Sequence, residues 1–101
     1  MIFVALSEAA DRGELLLVDG GMCRFHRRRD GVVVIRELLV LAKARRTGVG
    51  SLLVRRVKQR HPGAEIEAKC PAAYPSNGFW ARVGFRLAGE KGGVNVWRLS
   101  N

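Results

Sequence analysis

Several residue types are scarce in this chain, and each scarcity argues against a class of protein. The 101 residues include only two cysteines and two histidines. Two cysteines are too few for a disulfide framework, and the four residues are not at the spacing of a structural zinc site. No apolar run is long enough to cross a bilayer, and no stretch has the charged start and small-residue cleavage site of a signal peptide. We therefore expect a cytoplasmic protein that forms a single domain over residues 1–101.

Acidic residues are also scarce. The chain has nine Asp and Glu residues and 18 Lys and Arg residues, which gives a formal net charge of +9. Such a charge favours an acidic partner, for example nucleic acid, an anionic surface or an anionic cofactor. The run Arg27–Arg29 could contact nucleic acid, although a solvated hairpin tip explains it more simply. Charge alone does not choose among these partners.

The cysteines and histidines lack the surroundings of a catalytic site. Cys23 and Cys70 are far apart in sequence, and neither has a Cys or His neighbour at the spacing of a metal site. His26 stands beside an arginine run, and His61 precedes Pro62-Gly63, a pair that ends helices. We expect two ordinary reduced thiols and no bound metal.

What the chain does contain is one long apolar stretch from Val32 to Leu41. Only Arg36 and Glu37 interrupt it. It opens with four β-branched residues, Val32–Ile35, which are stiff at χ1 and costly in a helix. A nearly continuous apolar run of this kind is typical of a strand covered on both faces. The stretch predicts the central strand of a sheet.

A basic segment with two glycines follows that strand and opens a helix. Apolar residues at 49, 52, 53 and 57 fall on one helical face. The first turn of a helix has N–H groups without intrahelical partners and carries the positive end of the helix dipole, so it attracts anions. Glycine lets a phosphate approach the backbone closely. The predicted phosphate or pyrophosphate site consists of Arg45, Arg46, Thr47, Gly48, Val49, Gly50 and Ser51.

Two familiar phosphate-binding loops do not fit this segment. A P-loop needs a lysine after its last glycine, but Gly50 is followed by Ser51 and Leu52. A dinucleotide fingerprint needs a third glycine where this chain has Leu53. A nucleoside triphosphatase and a dinucleotide-dependent enzyme are therefore both disfavoured.

The pattern that remains, Arg-x-x-Gly-x-Gly after a strand, resembles the acyl-CoA pyrophosphate loop of the GNAT superfamily of N-acetyltransferases. Arg45, Gly48 and Gly50 stand at its defining positions. A second segment, Asn77–Phe85, is similar to the other signature of that superfamily: a helix ending in an aromatic pair, a basic residue and Gly-Phe. The two segments occur in the order that the family has, and the resemblance covers roughly residues 14–99.

The rest of the chain predicts a matching order of elements. A right-handed crossover through the central helix makes the strand at 64–70 parallel to the central strand, and Ser76 is a suitable N-cap. The fold class is then α/β (α+β): a GNAT-like mixed, mostly antiparallel sheet with a central parallel strand pair flanked by helices, in the order (α)βββαβαββ. The first predicted helix is 2–11, the second begins within 45–51 and stops at 61–63, and the third runs from its N-cap Ser76 to about Val83. The predicted strands are 14–19, 22–28, 32–41, 64–70, 85–88 and 94–99.

The resemblance implies a function: transfer of an acetyl group from acetyl-CoA to a primary amine by direct attack in a ternary complex, without a metal. In this family the pantetheine arm lies between two splayed central strands and pairs with backbone groups that correspond to Leu39, Val40 and Leu41. Asn77 would bind the amide arm of the cofactor or help to cap its helix. Trp80 stands in the cofactor site where relatives often have the tyrosine that protonates the departing thiolate.

An indole N–H is a very poor acid, so the acid and the base must be sought elsewhere. Tyr74 is the only tyrosine and lies just before the same helix; it is the candidate acid, or else a loop tyrosine that packs on the surface. Glu37 is the candidate base, acting directly or through water, because burial in an apolar strand favours a carboxylate that accepts protons near neutral pH. The alternative is a salt bridge between Glu37 and an arginine.

Family members usually carry a strand and two helices before the first strand predicted here, and those helices shape the acceptor site. With barely a dozen residues in their place, we expect an incomplete acceptor pocket and uncovered apolar surface, hence a homodimer in which the partner completes the site. The basic charge suggests an acidic or macromolecular acceptor. Two other functions remain open: a nucleic-acid-binding or nucleic-acid-modifying protein on this fold, and a non-catalytic acyl-CoA binder.

Overall fold

The order of elements along the chain is the predicted one. The computed structural model describes residues 2–101. No helix within that range is long and apolar enough to cross a membrane. The helices are α1 (Ile2–Asp11), α2 (Val49–Arg60) and α3 (Asn77–Arg82), and the strands are β1 (Leu15–Val18), β2 (Gly21–Arg27), β3 (Val33–Val40), β4 (Ile66–Pro71), β5 (Arg86–Lys91) and β6 (Val94–Leu99), with a 3₁₀ turn at Ala42–Ala44.

The six strands form one sheet in the order β1-β2-β3-β4-β6-β5. Neighbouring strands are antiparallel except for β3 and β4, which are parallel, as the crossover through α2 predicts. β3 and β4 pair only from Val33↔Ile66 to Ile35↔Ala68. Beyond that level β3 continues to Val40 and β4 to Pro71 without pairing to each other. We call this divergence the strand split.

A β-bulge in β3 lies at the start of the strand split. The register between β2 and β3 shifts there, because Phe25 pairs with Ile35 whereas Arg24 pairs with Glu37. Arg36 is therefore the extra residue of the bulge. A bulge bends its strand and changes which side chains point to each face. Beyond Arg36, β3 stays paired with β2 while its other edge is free.

The hydrophobic core lies between one face of the sheet and the helices α2 and α3. Leu53, Val54 and Val57 of α2 are buried there. The helical periodicity predicted Leu53 and Val57 but not Val54, and the other two residues of the predicted face, Val49 and Leu52, are partly buried. Trp80 of α3 and Phe85 complete the same cluster. The core thus fixes the two helices that border the strand split.

The second face of the sheet, opposite α2 and α3, contains a buried carboxylate. Glu67 is almost fully buried. Its Oε2 accepts a hydrogen bond from Arg28 Nη1 at 3.2 Å, and its Oε1 accepts one from Arg98 Nε at 3.0 Å. Charge-assisted bonds of this kind are stronger than neutral ones. They join the end of β2 to β6 across β4, below the strand split.

Two predicted details are wrong. Strand β5 runs on through Glu90 to Lys91, so the turn to β6 is only Gly92-Gly93. Ser76 precedes α3 but makes no capping hydrogen bond, because its backbone is already helical (φ −62°, ψ −12°), whereas an N-cap side chain needs an extended backbone to reach the first turn. Ser76 Oγ lies instead 3.2 Å from the Sγ of Cys70.

Candidate functional site

The strand split opens the sheet into a cleft of about 1200 Å³. β3 forms one wall, the end of β4 and α3 form the other, and the loop before α2 lines the end farthest from the paired residues. Of the predicted site residues, Leu41, Thr47 and Asn77 do not line it. Those that do are Glu37, Leu39, Val40, Arg45, Arg46, Gly48, Val49, Gly50, Ser51, Tyr74 and Trp80.

The edge of β3 that faces the cleft has backbone groups without sheet partners. On its other edge β3 pairs with β2 as far as Gly21↔Val40, but towards β4 the pairing stops at Ile35. The bond from the Leu41 N–H to the Gly20 carbonyl makes Leu39 and Met22 the next hydrogen-bonded pair of the ladder, so the backbone groups of Leu39 point to β2, contrary to the prediction. The N–H and carbonyl of Val40 point away from β2 and are available to a ligand. Leu41 differs from this prediction: its N–H donates to Gly20 at 2.8 Å and its carbonyl accepts from Ala44 at 2.8 Å, so it has no free backbone group to offer.

Residues 45–51, which we call the anion loop, present backbone N–H groups at the end of the cleft. Gly48 caps α2 with a φ of +85°, and the N–H of Leu52 makes the first intrahelical bond, to the Gly48 carbonyl at 2.9 Å. The N–H groups of residues 49–51 therefore have no acceptor within the helix. The first turn contains no acidic residue, and Arg45 and Arg46 add positive charge. The loop has the geometry and the charge of an anion site.

The anion loop is held in shape by contacts with the β1–β2 turn. A Cβ on Gly20 would lie 2.6 Å from Ala44 Cβ, and a Cβ on Gly21 would lie 2.8 Å from Val49 Cγ1. Both distances are too short for any residue except glycine. Thr47 contributes from within, since its hydroxyl donates to the Ala44 carbonyl. The Thr47 side chain is thus engaged in the loop and does not line the cleft.

The two glycines of the anion loop have different roles. At Gly48 nothing lies within 4 Å of the point that a Cβ would occupy, so the space before it is open and only its positive φ requires glycine. At Gly50 a Cβ would lie 2.6 Å from Cε1 of Phe79. The prediction that both glycines make room for a phosphate therefore fits Gly48, whereas Gly50 makes room for the packing of α3 on α2.

Glu37 lines the cleft but is not buried as predicted. Its side chain is 44% exposed, and its Oε1 accepts a hydrogen bond from Arg24 Nη2 at 2.7 Å. The physical reason is the bulge at Arg36, which turns Glu37 to the second face, opposite Arg24 on β2. The alternative prediction, a salt bridge with an arginine, is confirmed. The burial that favoured Glu37 as a base is absent.

Tyr74 and Trp80 lie on the α3 side of the cleft in different environments. Tyr74 is 58% exposed on the loop before α3. Trp80 is buried, with its ring in edge contact with Phe79 at 5.0 Å and with Phe85 at 5.1 Å between centroids. Trp80 is thus part of the core as well as of the cleft wall, while Tyr74 has room to move.

Asn77 is the structural centre of the loop between β4 and α3. Its Nδ2 donates to the carbonyls of Pro71 and Tyr74, each at 2.8 Å. Its Oδ1 accepts from Asn95 Nδ2 at 3.0 Å and from Trp97 Nε1 at 2.9 Å. The amide is fully engaged within the chain, so the predicted contact with a cofactor has no support in the geometry. Sequence could not show this because Asn95 and Trp97 are distant along the chain.

The cysteines are free and buried, as expected for ordinary thiols. Burial raises the pKa of Cys23 to about 12, so that thiol stays protonated. Cys70 belongs to the cleft wall beside Ser76. Within residues 2–101, no three His, Cys, Asp or Glu side chains are placed to hold a metal ion.

Two cationic residues at the strand split were missed by the sequence analysis. Arg36 and Lys69 each follow the last paired residues of their strands, Ile35 and Ala68. Both are exposed and both line the cleft. Only the register of the parallel pair brings them together, and residues 33 apart in sequence give no local signal of it.

A family model described as "Acetyltransferase (GNAT) domain" matches residues 1–87. The chain therefore belongs to the GNAT acetyltransferase family, as its two signature segments predicted. The mixed sheet, its single parallel pair and its helices have the family's fold. No curated protein matches the chain significantly.

Solved structures show the same fold at low sequence identity. The anti-CRISPR protein AcrVA5 is 23% identical with a TM-score of 0.69, and the match covers 85% of this chain and 96% of that one. PaiA N-acetyltransferase from Thermoplasma acidophilum, solved with coenzyme A, is 11% identical (TM-score 0.77; 94% and 66%). Arabidopsis thaliana Naa50, solved with the bisubstrate analogue CoA-Ac-MVNAL, is 22% identical (TM-score 0.61; 80% and 65%).

The contact between Gly50 and Phe79 predicts a change of sign in a pair of variants. Gly50→Ala should lower the free energy of unfolding by about 1–2 kcal/mol, because the added methyl group overpacks the Phe79 ring. In a Phe79→Leu background the same change should be neutral or stabilising by up to about 1 kcal/mol, since alanine is the better helix former. Urea denaturation of the four proteins measures both effects. An equal effect of Gly50→Ala in both backgrounds would show that the ring does not limit residue 50.

Proposed function

We propose that this protein transfers an acetyl group from acetyl-CoA to a primary amine by direct attack in a ternary complex. The observation that carries the proposal is the meeting of the anion loop and the free edge of β3 in one cleft. An acyl-CoA has a pyrophosphate that suits the anion loop and an amide-bearing pantetheine arm that suits the free edge of β3. The coenzyme A complex of the Thermoplasma protein and the coenzyme A–peptide complex of Naa50 support this assignment.

The residues of the cleft divide between the two ends of the cosubstrate. Arg45, Arg46 and the N–H groups of residues 49–51 hold the pyrophosphate, and the backbone of Val40 pairs with the arm. A free N–H of β3 also donates to the thioester carbonyl oxygen as that oxygen gains negative charge. The amine nitrogen attacks the carbonyl carbon, so that a C–N bond forms and the C–S bond breaks.

Two protons must move during this reaction. Glu37 accepts the proton of the attacking amine, directly or through a water molecule, and its ion pair with Arg24 keeps the carboxylate in place at 2.7 Å. Tyr74 donates a proton to the departing thiolate. Because an ordinary thiol has a pKa of about 8.5, the thiolate needs only weak assistance. The Trp80 side chain forms part of the cleft wall beside the pantetheine arm and does not act as an acid.

Cosubstrate binding can be tested with a pair of variants that differ only in charge. Asp and Asn both tolerate the positive φ of Gly48, so neither should unfold the anion loop. Gly48→Asp places a carboxylate where the pyrophosphate would bind, and we expect it to weaken acetyl-CoA binding at least tenfold more than Gly48→Asn does. Isothermal titration calorimetry with acetyl-CoA and CoA measures the difference.

Equal affinities in the two Gly48 variants would move the pyrophosphate away from the anion loop. Absence of acetyl-CoA binding in the wild type would mean that the fold is used for another purpose. The nucleic-acid hypothesis then becomes the leading one, and it predicts binding that weakens steeply with salt in proportion to the phosphates contacted.

Turnover tests the catalytic roles. Glu37→Gln should lower kcat roughly 10²–10⁴-fold, the usual contribution of a general base, and Tyr74→Phe should have a smaller effect, since the thiolate is a good leaving group. Acetyl-CoA consumption with a panel of primary amines gives both values.

A second candidate, a non-catalytic acyl-CoA binder, is favoured by the buried Trp80 at the usual acid position. It predicts tight binding of acetyl-CoA with no turnover of any amine.

A homodimer is the expected working form, because apolar side chains are uncovered on the second face of the sheet. Leu17 is 73% exposed and Leu39 is 53% exposed. Met22 pairs with both of them across β2, so the three side chains form one stripe. A second copy that covers this stripe would also border the acceptor side of the cleft.

Sedimentation equilibrium at micromolar concentration should therefore show a dimer. Leu17→Lys should produce a monomer, because it introduces a charge at the most exposed residue of the stripe. Leu87→Lys is the matched control: Leu87 is also more than half exposed, but it lies on β5 at the other edge of the sheet. A monomeric wild type at this concentration would refute the dimer.

A further inference from the structure

The closed end of the cleft carries two positive charges side by side. Ile35 and Ala68 are the last paired residues of β3 and β4, and Arg36 and Lys69 come next. Paired strands lie about 4.8 Å apart, so each of the two cationic residues lies one position beyond a residue pair with that spacing. We call Arg36 and Lys69 the cation pair.

The cation pair belongs to the acceptor side of the cleft. Ile35 and Ala68 are buried in the core with α2 and α3. Because side chains alternate along a strand, Lys69 points to the second face. Arg36 is the bulge residue next to Glu37, whose carboxylate meets Arg24 on that same face. A molecule that approaches Glu37 from the second face therefore meets the cation pair.

Nothing within the described residues neutralises these two charges. Neither side chain forms an ion pair there, and the acids closest to them in sequence are engaged elsewhere: Glu37 with Arg24, and Glu67 with Arg28 and Arg98. Like charges that lie close together without a counter-ion repel each other. They would also repel an ammonium group unless its carrier brings negative charge.

We propose that the cation pair binds a carboxylate on the acceptor, so that the acceptor is an amine flanked by acidic groups in a peptide segment. This inference rests on the proposed function and makes Arg36 and Lys69 determinants of acceptor specificity. Arginine is well suited to such a contact because its guanidinium binds a carboxylate through two parallel hydrogen bonds.

The test uses peptides of equal length that contain one lysine flanked by glutamate, by alanine or by arginine. With the wild type and saturating acetyl-CoA, kcat/KM should be at least tenfold higher for the glutamate-flanked peptide than for the alanine-flanked one, and lowest for the arginine-flanked one. In the double variant Arg36→Gln/Lys69→Gln the glutamate preference should fall below threefold.

The control removes the same charges at a distance from the cleft. Arg29 lies at the β2–β3 hairpin tip, and Arg55 is an exposed residue in the middle of α2. The double variant Arg29→Gln/Arg55→Gln has the same net charge as the test variant and should keep the preference of the wild type. Loss of preference in both double variants would mean that overall charge, not the cation pair, selects the acceptor, and would overturn the inference.

Equilibrium binding keeps this inference separable from the proposed function. The same peptides can be titrated by calorimetry in the presence of CoA, where no acetyl group is transferred. Tighter binding of the glutamate-flanked peptide, lost in Arg36→Gln/Lys69→Gln, would support the cation pair even without turnover. Turnover or binding without any flank preference would overturn the inference while leaving the transferase proposal intact.

Two further comparisons test whether the negative charge that the cation pair binds comes from a phosphate or from the acyl group instead. A phosphoserine-flanked peptide that exceeds the glutamate-flanked one would keep the cation pair as the anion site but assign it to phosphate instead of carboxylate. If the wild type preferred succinyl-CoA to acetyl-CoA, and Arg36→Gln/Lys69→Gln lost that preference, the cation pair would belong to the acyl group, which would overturn its assignment to the acceptor.

Discussion

The site depends on one physical constraint: β3 and β4 must begin as a parallel pair and then separate. Unpaired backbone groups in a sheet are costly when they are buried without partners. Here they are tolerable because the separation leaves them facing a cleft that solvent or a ligand can fill. Each strand also keeps a full partner on its other side, β2 for β3 and β6 for β4.

Packing on both sides keeps the separation in place. Below it, the buried carboxylate of Glu67 joins Arg28 to Arg98 and holds the paired end of the strands together. Above it, the close approach of Phe79 to Gly50 sets the distance between α3 and α2. The ion pairs of Glu67 thus fix the end where the strands are paired, and the packing of α3 on α2 fixes the end where they are apart. The cleft is therefore a stable part of the fold.

Features that recur along the chain were predictable, and features that depend on distant residues were not. The strand at 32–41 follows from a nearly continuous apolar run that opens with β-branched residues. The helix after it follows from hydrophobic periodicity, and the anion loop follows from glycines at a helix start. The bulge at Arg36 has no glycine or proline to mark it, so Glu37 was expected to be buried and is exposed. The resemblance implied that Asn77 binds the cofactor or caps its helix, and no local pattern indicated the actual partners, Asn95 and Trp97, which meet it only in the folded sheet.

The short parallel register has a consequence for the molecule as a whole. The sheet has two halves, one made of β1, β2 and β3 with α2 and the other of β4, β6 and β5 with α3. They are joined by only three paired residues of β3 and β4 and by the contacts beside these pairs. A molecule with amide groups that binds along the free edge of β3 would form hydrogen bonds where β4 no longer does, and so would lie between the two halves of the sheet. By mass action it would then stabilise the folded state increasingly as its concentration rises above its Kd, so that the bound molecule completes the sheet.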